Sequence, residues 1–122
     1  MDRAHEGLHD ARLLLQISRG YDGVVNRAYY SMLHAVFALL VPYRVEKAID
    51  QDEKIIALFE DKFVRSNLIS IEMSKKLRHA FVVCQAYDFE DFFEINREQA
   101  VEILESANEF VDSIEEQLAQ SS

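Results

Sequence analysis

Apolar residues recur along the chain at intervals of three and four, the spacing that lays one face of a helix against a core. Leu8, Ala11, Leu14, Leu15 and Ile17 predict a first helix over about Asp2 to Arg19, with Gly20 as its C-cap. The next run, DGVVNRAYYSMLHAVFALLV from Asp22 to Val41, is too densely apolar for a one-sided surface helix. It predicts a central rod of roughly 30 Å, capped by Asp22 and stopped by the chain's single proline, Pro42. The short turn from Gly20 to Gly23 sets these two helices antiparallel. After a mixed-charge connection, YRVEKAI, Asp50 and Glu53 stand at capping-box spacing and open a third helix that buries Ile55, Ile56, Leu58, Phe59 and Phe63. Arg65 to Leu68 reads as a turn. Ser70 then caps a fourth helix through Met73, Leu77, Ala80, Phe81 and Cys84 to about Ala86. The segment YDFEDFFEI bridges to a fifth, capped by Asn96 with Gln99 and burying Val101, Leu104, Val111, Ile114 and Leu118.

Composition agrees with this pattern. Three glycines and one proline in 122 residues leave little material for hairpins, so the expected class is all-α: an antiparallel bundle of about five helices in a single domain, residues 1–122. One cysteine, Cys84, excludes an internal disulfide and suits a cytoplasmic location. The opening MDRAHEGLHD lacks the apolar core of a signal peptide, and the longest unbroken apolar run, Ala35 to Pro42, falls short of the ~18 residues of a membrane span. The net charge of −9 is uneven: between Asp88 and Glu116 stand 11 acidic residues and one basic residue, Arg97. Glu98, Glu102, Glu105, Glu109, Asp112 and Glu116 share one helical face, an ordinary solvated ridge or a docking surface for a basic partner. Nucleic-acid binders usually carry a basic face, so RNA would have to approach the N-terminal half.

The candidate chemistry lies in the central rod, where Arg27, Ser31 and His34 recur at i, i+4, i+7 along one stripe. Arg27 and His34 lie within ~20° of one line but ~10 Å apart along the axis, so within one chain they do not converge on one atom. Two copies of the helix crossing antiparallel on a dyad near Tyr30 and Ser31 would set Arg27 of one against His34 of the other, and Ser31 against Ser31. The expected assembly is a homodimer through helix two with a composite site at the seam. The plainer alternative pairs Arg27 with a carboxylate of its own chain and His34 with a backbone carbonyl. His5 and His9 stand at i, i+4, but no third ligand is spaced to make a metal site with them.

The run ARLLLQISRGYDGVVNRAYYSMLHAVFALL, Ala11 to Leu40, resembles the first half of the HEPN domain family, and in particular its small stand-alone bacterial and archaeal members. The match is carried by Asn26, Arg27, Ala28, Tyr29, Tyr30, Met32, His34 and Ala35, against a second helix reading roughly N-R-A-Y-Y-x-M-x-H-A. The second half fits in outline, from IIALFEDKFV to EFVDSIEEQL. The resemblance implies a toxin-like, metal-independent endoribonuclease using an R-x(4–6)-H motif, here Arg27 and His34 as catalytic residues. It needs no cofactor, acts on RNA with Asn26, Tyr30 and Ser31 as candidate substrate-binding residues, and partners a minimal nucleotidyltransferase as antitoxin. The sequence departs from related members at Ala28, where the strongest catalysts carry a polar residue, and at Cys84 and Phe89, where an Arg and a Tyr are common. The reading from a different class is a non-catalytic dimeric helical module for interaction or nucleotide binding.

Overall fold

The computed structural model describes residues 1–16, 21–43, 52–89 and 95–121. These form five α-helices and no strand: α1 (Asp2–Gln16), α2 (Tyr21–Leu40), α3 (Asp52–Phe59), α4 (Ile71–Phe89) and α5 (Arg97–Ser121). A 3₁₀ turn, Val41–Tyr43, takes Pro42 at the end of α2, and a π-helical turn, Glu60–Val64, continues α3. The expected all-α bundle is what forms. Gly20, the Asp50 capping position and most of YRVEKAI lie outside the described residues.

Helix α2 is the centre, with α1, α3, α4 and α5 all packed against it. Eleven of its twenty residues are buried, among them Val24, Val25, Tyr29, Met32, Val36 and Leu40, which is why its sequence shows no single polar face. By length and composition the stretch Tyr21–Tyr43 is apolar enough to cross a membrane, but 61% of its 18-residue apolar window lies inside the bundle. Arg27, Ser31 and His34 interrupt the apolar run but leave the segment's mean hydropathy high. Core helices of globular domains share this property.

Side-chain pairs fix the helix directions. His5 on α1 pairs with Glu115 on α5, and Arg12 with Asn108, so the two run antiparallel. Lys76–Glu109 and His79–Glu102 do the same for α4 and α5. Helix α5 starts on a reciprocal capping box: Asn96 N–H donates to Gln99 Oε1 (3.1 Å) and Gln99 N–H to Asn96 Oδ1 (2.8 Å). Six of its seven carboxylates, Glu98, Glu102, Glu105, Glu109, Asp112 and Glu116, are exposed, opposite buried Ala100, Ile103, Leu104, Phe110, Val111 and Ile114, while Glu115 is half-buried beside His5. The aromatic core joins α3 to α5 through Phe59 and Phe110, whose ring centres lie 5.6 Å apart.

The π-helical turn was not legible in the sequence. Here Arg65 N–H donates to Glu60 O, and Asn67, at φ 64°, takes the left-handed position that Asn tolerates and turns the chain into α4. Glu60 at the head of this turn meets α4. Arg78 donates to it with Nε (3.1 Å) and Nη2 (2.6 Å), and Ser74 with its hydroxyl (2.6 Å). These donors, Arg78 foremost, hold the Glu60 carboxyl below the ordinary glutamate range despite partial burial. The folded protein therefore releases this proton more readily than the unfolded chain. The stabilisation is complete at neutral pH and is lost as pH falls from about 4.5 through the folded value. Glu60→Gln, which keeps the shape and removes the charge, is expected to cost about 1–2 kcal/mol at pH 7, allowing for partial exposure, and less at pH 3, below the ordinary glutamate value. Urea melts of both proteins at the two pH values check this, and an equal loss at both would refute it.

Candidate functional site

The outward side of α2 carries Asn26, Arg27 and Tyr30, all exposed, then His34, Phe37 and Ala38, half-buried, and finally Val41, exposed. This corrects the stripe expected from spacing. Ser31 is 0% exposed, beneath Gly7 of α1, and its hydroxyl donates to Arg27 O at 2.8 Å. It can neither meet a second Ser31 across a dyad nor touch a substrate, and Tyr30 takes the middle of the accessible stripe. The helical wheel allowed both, since Ser31 stands ~40° to one side of Arg27 and Tyr30 ~60° to the other. The position of α1 decides between them.

Arg27 and His34 open into separate clefts. The Arg27 cleft, about 230 Å³, is lined by Asp22, Gly23, Val25, Asn26, Cys84 and Ile95 as well. The guanidinium folds back over Gly23, donating to its carbonyl oxygen at a long 3.4 Å. Asn26 beside it points its amide at the buried Cys84 sulfur, 4.0 Å away. His34 lies in a larger open cleft of about 530 Å³ with Met1, Asp2, Arg3, Phe37 and Ala38. Neither Arg27 nor His34 forms an ion pair with a carboxylate among the described residues. Partial burial, then the nearby Arg3 and the N-terminal ammonium, hold the His34 imidazole below its ordinary value. It is therefore mostly neutral at pH 7 and able to accept a proton.

The two tyrosines have different situations. Tyr29 is buried and donates its hydroxyl to Asp52 at 2.8 Å, with burial and that carboxylate both raising its pKa. Tyr30 is 42% exposed, with its ring centre 5.2 Å from that of Tyr29. Ala28, the first departure from related sequences, is fully buried, so a polar residue there would need a partner inside the core. His5 is engaged with Glu115, and no group of three His, Cys, Asp or Glu side chains is placed to hold a metal among the described residues. Arg3 went unnoticed in the sequence. No periodicity marks it, because it comes beside His34 only through the antiparallel pairing of α1 with α2.

The fold is an all-α bundle whose central helix displays an arginine and an imidazole seven residues apart. The sequence profile of the HEPN domain matches residues 1–117, and the chain belongs to that family. It is similar to a UPF0332 protein of Thermotoga maritima, with 30% identity over 113 residues covering 93% of this chain and 83% of the relative. It is also similar to a Methanocaldococcus jannaschii protein named as a candidate toxin, with 25% identity over 118 residues covering 97% of this chain and 78% of that protein.

Proposed function

We propose that this HEPN protein is a toxin-like, cytoplasmic endoribonuclease that works as a homodimer, restrained by a minimal nucleotidyltransferase antitoxin. The observation that carries the reading is the stripe itself. Arg27 and His34 face outward, neither is neutralised by a carboxylate among the described residues, and the imidazole is held in its proton-accepting form. Pairing α2 with a second α2 across Tyr30, Phe37 and Val41 would cover exposed apolar surface. It would also bring the Arg27 cleft of one copy to the His34 cleft of the other. The toxin designation of the archaeal relative supports the toxin-like class, while the resemblance suggests the antitoxin.

In that site neutral His34 takes the proton of a ribose 2′-hydroxyl. The 2′-oxygen bonds to the adjacent phosphorus, the bond from phosphorus to the 5′-oxygen breaks, and the departing oxygen takes a proton from water. The products are a 2′,3′-cyclic phosphate and a free 5′-hydroxyl. Arg27 holds the non-bridging oxygens and stabilises the charge that accumulates on them. Asn26 and Tyr30 flank the scissile step, Tyr30 offering a ring for a base to stack on. Ser31 has no part in it.

Purified protein incubated with total RNA should generate cyclic-phosphate ends. His34→Ala should lower the rate by about 10²–10⁴-fold at unchanged thermal stability. Wild-type kcat/KM should rise with pH as the free imidazole loses its proton and level off, with the midpoint below the ordinary value of about 6.5. RNA left intact by the wild-type dimer, or cleaved equally by His34→Ala, would overturn the reading.

A further inference from the structure

The His34 cleft has a second wall, contributed by the first turns of α1. Met1, Asp2 and Arg3 line it opposite His34, Phe37 and Ala38. Arg27 of the same chain opens into the other cleft, about 10 Å along the helix. Within one protomer, then, the cation sharing space with the imidazole comes from an arginine of a different helix. The charged groups facing His34 there are Arg3, the amino terminus and Asp2, two cations against one carboxylate. Arg3 is exposed, has no ion-pair partner among the described residues, and its planar fork suits two oxygens of one phosphate.

We propose that Arg3 is the phosphate-holding residue of the His34 cleft, binding the non-bridging oxygens of a phosphodiester beside the imidazole. This rests on the ribonuclease reading for its substrate, an RNA strand, but the anion subsite itself does not need cleavage. In the composite site the phosphate would lie between Arg3 and His34 of one copy and Arg27 of the other. Two guanidiniums would then share the charge built up in the transition state. The cleft volume of about 530 Å³ has room for a nucleotide, not merely an ion.

The test follows the His34 ring by NMR in wild type, Arg3→Gln and Arg3→Lys, all as the complete chain. Without ligand, Arg3→Gln should raise the His34 titration midpoint, because a neighbouring cation has gone. Inorganic phosphate should shift the wild-type ring signals saturably. A 2′-deoxy oligonucleotide, which lacks the attacking hydroxyl, should do so at lower concentration. Arg3→Gln should weaken both responses about tenfold or more, with Arg3→Lys in between. In cleavage assays Arg3→Gln should raise KM, because a phosphate contact of the bound strand is lost, and also lower kcat, because one of the two guanidiniums sharing the transition-state charge is gone. Ring signals unmoved by either ligand, or moved equally in Arg3→Gln, would overturn the proposal. Arg3-dependent phosphate binding by a protein that leaves RNA intact would uphold the subsite and remove the ribonuclease reading alone.

Discussion

Mixing two inactive variants, Arg27→Ala and His34→Ala, is expected to restore RNA cleavage to about a quarter of the wild-type rate. Each homodimer lacks one half of both sites. Random exchange at equal concentrations makes about half of the dimers mixed. In each mixed dimer one seam joins the intact Arg27 of one copy to the intact His34 of the other, while the second seam has neither. One site in two, in half of the dimers, gives the quarter. If Arg27 and His34 instead acted within a single chain, no dimer would hold a complete pair and the mixture would stay inactive. The separation of the two side chains into different clefts makes the first outcome the expected one. Light scattering on each variant must show that dimers persist, and the mixture must be incubated long enough to exchange. A persistently dead mixture of exchanged dimers would end the composite site, even if the wild type were an active ribonuclease.

Much of the fold was legible because several signals agreed at the same places. Asn96 and Gln99 announced a capping box and form one, Ser70 stands where α4 begins, and the acidic positions of α5 fall on its exposed side. What escaped depends on tertiary placement. The π-helical turn at Glu60 leaves no periodic trace, since one additional residue in a turn shifts a short amphipathic pattern no more than ordinary irregularity does. At the candidate site, spacing placed Arg27 and His34 along one line of α2, and both are accessible. It could not choose between Ser31 and Tyr30 as their neighbour, because that depends on which flank of α2 the first helix covers. Arg3 required knowing both that flank and the antiparallel direction. One residue carried a usable signal: Gly7, a glycine inside an otherwise helical pattern, which often marks a close approach of backbones.

Replacing that glycine should be the most disruptive small change on the surface between α1 and α2. A Cβ at position 7 would stand 2.1 Å from Ser31 Oγ, 3.2 Å from Arg27 O and 3.3 Å from Ser31 Cβ. In an open helix, Gly→Ala would gain about 1 kcal/mol from lower backbone entropy. Here Ser31 is fully enclosed, and swinging its hydroxyl aside breaks the bond to Arg27 O, while the other two contacts stay tight. The overpacking term should prevail, so Gly7→Ala is expected to lose about 1–3 kcal/mol in urea melts, and Gly7→Leu more. Adding Ser31→Ala removes the closest clash, and the double variant should recover much of the loss. That non-additivity distinguishes steric conflict at this pair from a general weakness of α1. A Gly7→Ala protein as stable as wild type would show that the two helices do not approach this closely. The consequence reaches the His34 cleft, because α1 carries Arg3 on the same segment. A helix pushed off Ser31 would move its first turns away from the imidazole, so ligand-induced shifts of the His34 ring should weaken in Gly7→Ala and return in the double variant.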